Sequence, residues 1–188
     1  MEGLATQIDI YCERTDASYW SEPVNAVSNA AFLIAAAVML TRVRGQHMPI
    51  AVALCWILAA IGVTSYLWHT HAQAWASALD VGSIAAFIFT YVYAANRHFW
   101  ALRPPLAALA TLGVIPWIAL TLPVFDSLPF FHISNAYWPI ALLIALYAVA
   151  LWRRHPETAR GLALGAAILT LSLAFRSVDA AVCHLLPT

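Results

Sequence analysis

The sequence predicts an all-α, multi-pass membrane helix bundle with its N-terminus outside, and three observations carry that prediction. Of 188 residues, 63% are hydrophobic and only 10% charged, which excludes a disordered chain and is too apolar for an ordinary soluble domain. Six apolar segments, near 24–41, 50–69, 77–95, 104–122, 136–152 and 161–178, alternate with short connections, and each approaches the roughly 20 residues that a spanning helix needs. All nine basic residues are arginine, and seven of them, Arg42, Arg44, Arg97, Arg103, Arg153, Arg154 and Arg160, follow the first, third and fifth segments. By the positive-inside rule that side is cytoplasmic.

Taken in order, the elements agree with this orientation. The first segment follows some twenty polar or acidic residues with no basic leader, so it reads as a first span rather than a cleavable signal peptide. The second runs outward and ends at "SYLWHTH", after which the chain turns through His71, Gln73 and Trp75 and the third begins near Asp80. The fourth contains Pro116, the fifth ends at the paired Arg153 and Arg154, and the sixth returns the chain to the outer side. That side also collects Arg14, Arg176, Glu2, Asp9, Glu13, Asp16, Glu22, Asp126 and Asp179. No repeat or domain-sized soluble stretch interrupts the pattern, so residues 1–188 read as one membrane-embedded domain. Arginine without lysine points to a GC-rich bacterial source, hence an inner-membrane protein whose outer side is periplasmic.

The polar residues inside this apolar frame are the candidate site. Ser65 and His69 stand four apart and so share one helical face. Asp80 is the only acidic residue within a span, where an ionised group is expensive and functional by default. Its plain alternative is a hydrated interfacial carboxylate or a cap on the third span. For His69 and His71 the alternative is a polar tip bonded at the interface. Together, a hydroxyl, an imidazole and a carboxylate suggest zinc chemistry, in which the imidazole binds metal and the carboxylate takes a proton from bound water.

A second cluster, "DIYCERTDASYWSEPVNAVSN", places Glu22, Asn25 and Asn29 on one face at the start of the first span, with Asp9, Glu13 and Asp16 before it. Such oxygens suit a hard cation such as calcium. A solvated acidic segment leading into an ordinary helix start, with Pro23 in the first turn, accounts for them equally. Cys12 and Cys183 lie on the outer side, where an oxidising compartment lets them pair or leaves two unrelated thiols, while Cys55 falls inside the second span. Trp20, Trp68, Trp75 and Trp138 near segment ends read as interface anchors.

The Cys12–Glu13 pair, the "EPVNAVSN" run, Ser65 with His69, Asp80 eleven residues later and "DAAVC" ending at Cys183 stand in the order found in the alkaline ceramidase family, which this chain resembles from residue 9 to 183. That family belongs to a superfamily of seven-span membrane hydrolases that includes the adiponectin-receptor-like proteins. The resemblance implies zinc-dependent hydrolysis of a linear amide in a lipid such as ceramide, releasing a fatty acid and a sphingoid base. It implies His69 as a zinc ligand, Asp80 as the acid/base acting on zinc-bound water and Ser65 as the hydroxyl beside the metal. It further implies Glu13 and Glu22 as calcium ligands, with Asp9 and Asp16 less well matched, and a disulfide between Cys12 and Cys183.

The departure lies at the end. The family carries its other zinc ligands as a His-x-x-x-His pair on a seventh span, whereas this sequence contains no such pair and reads "HLLPT" after Cys183. The expectation is therefore six spans of seven, a catalytic set incomplete in these residues, and His184 as a substitute ligand without family precedent. Two rival functions remain: a lipid-binding or sensor protein of the same fold without turnover, and a small transporter relaying protons through Asp80 and His69. Zero net charge without a basic patch excludes a nucleic-acid partner.

Overall fold

A computed structural model describes residues 2–183. Among them a 3-10 turn, Glu2–Ala5, precedes nine α-helices arranged in two compact units that meet within one helix, at Ala94 and Ala95. The first unit holds α1 (Pro23–Ser28), α2 (Ala30–Val43), α3 (Pro49–His71) and most of α4 (Ala74–His98). The second holds the end of α4 with α5 (Pro104–Leu112), α6 (Val114–Asp126), α7 (Pro129–His132), α8 (Trp138–Leu151) and α9 (Pro156–Val182). Proline opens the first turn of α1, α3, α5, α7, α8 and α9. Its missing N–H costs nothing there and its fixed φ suits the helix.

Among the described residues five helical rods are long and apolar enough to cross a membrane: Pro23–Val43, Pro49–His71, Ala74–His98, Pro104–Asp126 and Pro156–Asp179. Their outward faces stay apolar, with Trp56 63% and Leu120 77% exposed, as a lipid-facing surface requires. The all-α membrane bundle is thus as the composition predicts. The fifth expected span differs. It forms a helix only over Trp138–Leu151, 14 residues, or about 21 Å of rise against a hydrocarbon core of about 30 Å. A run of turns from Ile133 to Tyr137 precedes it, and turns from Trp152 to Arg154 follow it.

Two rods are interrupted where side chains predict it. In the first, Asn29 separates α1 from α2 and its amide donates to the Asn25 carbonyl at 2.8 Å. In the fourth, Gly113 separates α5 from α6 three residues before Pro116, whose ring removes the bond to the Leu112 carbonyl. Within the first unit, α2 and α3 meet at Gly62, where a Cβ would stand 3.0 Å from Leu33 and 3.2 Å from the Asn29 carbonyl oxygen. A larger residue there would make the Leu33 side chain and the Asn29 carbonyl give way by a few tenths of an ångström.

The turn between α3 and α4 is shorter than expected, because α3 continues through His71 and α4 begins at Ala74. Ala72 turns the chain at φ 47°, a left-handed conformation that costs a non-glycine residue about 1 kcal/mol. Its backbone compensates: the Ala72 N–H donates to Trp68 and its carbonyl accepts from Ile8, both at 2.8 Å. With the Gln7–Gln73 bridge and an Ala74-to-Thr6 bond of 3.0 Å, these ties lay the N-terminal segment over the α3–α4 turn.

In the second unit α8 packs against α9 through Ala148, Leu151, Ala159 and Leu162. A second cluster gathers Trp138, Ala141 and Leu173 with Phe125 and Phe131. Cys12 and Cys183 are disulfide-bonded and Cys55 is free and buried, as the sequence reading expects. His184 and the residues after it lie outside the described residues.

Candidate active site

Ser65 and His69 project from the last two turns of α3, about 6 Å apart along its axis. Asp80 is carried by α4, six residues past its start, so it is not a cap on that helix. The Ser65 hydroxyl donates to Asp80 Oδ1. From the residue before Ser65 on α3, the Thr64 hydroxyl bonds with that of Ser83 at 2.8 Å, and Ser83 also donates to the Asp80 carbonyl at 2.9 Å. These bonds fix the register of α3 against α4, and with it the carboxylate opposite the serine.

His69 is held from the other side by the N-terminal segment. Its Nδ1 lies 2.5 Å from Glu22 Oε2, and the Tyr11 ring packs on it at a centroid distance of 4.9 Å. Glu22 is itself buried, 2% exposed, and its Oε1 accepts from Arg14 Nε at 2.5 Å. Burial pushes the Glu22 carboxyl up, but hydrogen bonds from His69 and Arg14 and their charges outweigh it, holding the group below its ordinary value. An ionised carboxylate only accepts, so Nδ1 carries a proton, and the tautomer this favours has its lone pair at Nε2. Removing one partner of such a buried pair costs about 3–5 kcal/mol by stranding a charge.

The acidic residues of the N-terminal segment find protein donors. Glu13 accepts from the backbone N–H groups of Val24 and Asn25 at 2.6 and 2.9 Å, closing the exposed N-terminus of α1. Asp16 Oδ1 accepts from the Ser18 N–H at 2.8 Å, and Asp9 is exposed. His71 lies between Trp75 and Tyr19, tilted to the first and edge-on to the second, rather than joining His69. Arg14 is the residue that sequence reading missed. Its signal was present, since it is one of only two arginines on the acidic side, but its partners stand eight and 55 positions away.

Among the described residues no three His, Cys, Asp or Glu side chains gather as a metal centre, and a catalytic zinc takes three protein ligands. His69 alone meets the test for one, because metal-binding histidines characteristically present one nitrogen while a carboxylate holds the other. The calcium reading fits less well, because the oxygens of Glu13 and Glu22 are engaged by N–H donors.

What the arrangement offers is a carboxylate bonded to a hydroxyl and, on the same face of α3, an imidazole of fixed tautomer. A family model described as Ceramidase matches residues 6–188. No curated protein and no solved structure matches the chain.

Proposed function

The chain belongs to the ceramidase family, and from that premise we propose that it hydrolyses the amide bond of a membrane lipid such as ceramide, using Asp80, Ser65 and a zinc ion bound in part by His69. The observation that carries this reading is the pairing of Ser65 with Asp80 beside the carboxylate-held His69. Zinc, when bound, supplies Lewis acidity toward a carbonyl oxygen and toward water. His69 would offer Nε2 as one ligand.

The chain's own groups divide the remaining work. Asp80 accepts the proton of the attacking water as it adds to the amide carbon. Once protonated, Asp80 no longer needs the Ser65 hydrogen, and that hydroxyl is released to donate to the developing oxyanion. Asp80 then gives its proton to the amine as the carbon–nitrogen bond breaks, so one water divides between a fatty acid and a sphingoid base. A shallow apolar groove of about 430 Å³ lined by Pro49, Ile50, Ala53, Phe89, Thr90 and Tyr93 lies toward the other end of α3 and α4, about 18 Å along α3 from Ser65, where only the distal part of an acyl chain would reach. The arginine distribution supports a site on the outer side, periplasmic in a bacterial inner membrane.

The calcium that the resemblance implies at Glu13, Glu22, Asp9 and Asp16 is left out of this proposal, because binding it there would require Glu13, Glu22 and Asp16 to give up their N–H donors. The test is to incubate the purified chain with ceramide in detergent micelles and quantify both products by mass spectrometry, with and without a zinc chelator. Equimolar fatty acid and base, lost on chelation, restored by zinc and absent in His69→Ala, is the expected result. Saturable ceramide binding without products would leave the lipid-sensor reading in its place, and turnover indifferent to chelators would remove zinc.

A further inference from the structure

A hard-cation site gathers carboxylate and carbonyl oxygens around a central charge. In the first unit that centre is a side chain. The Arg14 guanidinium donates through Nε to Glu22 Oε1 at 2.5 Å, through Nη1 to the Asp16 carbonyl at 3.1 Å and through Nη2 to the His69 carbonyl at 2.8 Å. One carboxylate and two backbone carbonyls, from the N-terminal segment and the end of α3, thus converge on one buried positive group, 7% exposed. We propose that Arg14 is a built-in counter-cation that orders the N-terminal acidic segment in place of a bound calcium ion and, through Glu22, positions the His69 ring.

The geometry gives each atom of the fork a task. Nε neutralises Glu22, whose second oxygen holds His69 Nδ1. Nη2 grips the backbone of the same histidine, so the residue is held at both its main chain and its Nδ1, with Nε2 left unengaged by this network. Nη1 ties the loop that carries Asp16. A lysine could supply the charge but not three donors in a rigid plane. Arg14 and Glu22 are accordingly positioning residues. The inference rests on the reading of His69 as the functional ring but not on turnover.

Two measurements on the full chain in detergent test it. Thermal unfolding of the wild type with calcium chloride and then with a calcium chelator is expected to give the same midpoint, because the oxygens are already taken. A midpoint that rises by several degrees with calcium, as ligand linkage requires of an occupied native site, would overturn the built-in cation.

Nitrogen NMR of ¹⁵N-histidine-labelled protein, with His69 assigned from His69→Ala, reads the ring directly. Wild type is expected to carry its proton on Nδ1, whereas Glu22→Gln and Arg14→Gln release the ring to a mixture of tautomers and Arg14→Lys retains more of the wild-type state. An Nε2-protonated ring in wild type, or an unchanged ring in Glu22→Gln, would refute the positioning role. Should Arg14→Gln fail to fold, Glu22→Gln and Arg14→Lys carry the comparison. A chain that passes both tests yet releases no fatty acid refutes the hydrolase reading and leaves this one standing.

Discussion

Two buried polar groupings, one in each unit, satisfy their hydrogen bonds in the same way and differ in where those bonds end. In the second unit the Tyr147 hydroxyl donates to Asn96 Oδ1 at 2.8 Å, Asn96 Nδ2 donates to Thr111 Oγ1 at 3.2 Å, and Thr111 donates to the Ala107 carbonyl at 2.7 Å. That chain is neutral and terminates in backbone, joining the end of α4 to α5 and α8. In the first unit Arg14, Glu22 and His69 form one charged line and Ser65 with Asp80 another. The first line ends on an imidazole nitrogen, the second on a carboxylate able to take a proton. A closed neutral network holds helices together; an open charged one supports chemistry.

The largest expected effect breaks the open network. Asp80→Asn keeps the shape and a bond to Ser65 but removes the proton acceptor, so ceramide hydrolysis falls by about 10²–10⁴-fold, the usual contribution of a general acid–base. Circular dichroism and the unfolding midpoint stay near wild type. Equal turnover in Asp80→Asn would show that the two networks are alike in being structural.

The closed network predicts the opposite pattern. Asn96→Ala strands the Tyr147 hydroxyl and costs about 1–3 kcal/mol of stability. Tyr147→Phe removes the donor cleanly and costs about 0.6 kcal/mol, the average for polar bonds between membrane helices. Both are read from detergent unfolding curves, and neither changes turnover per folded molecule. A turnover loss exceeding the loss of folded protein would make Asn96 part of the site and dissolve the distinction.

Sequence legibility divides along the same line. The rods were readable because a run of about 20 apolar residues has few alternatives to a spanning helix, and Ser65 with His69 because spacing of four fixes a shared face. The place of Asp80 two turns inside α4 was not readable, since the helix start depends on Ala72 adopting a left-handed turn pinned by Ile8. Nor was the brevity of α8, whose apolar pattern runs past its hydrogen bonds. Arg14 was counted for topology and not paired, because ion pairs between distant segments leave no periodicity. Glu22 reads in the sequence as a calcium ligand, and in the fold its carboxylate meets an arginine and a histidine; a carboxylate looks the same in sequence whichever charge it meets.

The smallest expected effect sharpens the comparison inside the acidic segment itself. Asp16 is exposed, and its carboxyl is held below its ordinary value by hydrogen bonds from the Ser18 side chain and then its backbone N–H. A depressed folded pKa stabilises above the ordinary value of about 3.9 and loses that contribution as pH falls through the folded value. Solvent screens so exposed a group, and its link to Arg14 runs through the backbone carbonyl, which Asp16→Asn keeps. The substitution is therefore expected to leave the midpoint at pH 7 within error and to flatten only slightly its decline below pH 4, measured by thermal melts across an acid series. Glu22→Gln at the same pH 7 should lower the midpoint clearly. If the two substitutions proved equal, the order of the segment would be spread over its acidic residues rather than concentrated on the one carboxylate that Arg14 and His69 share.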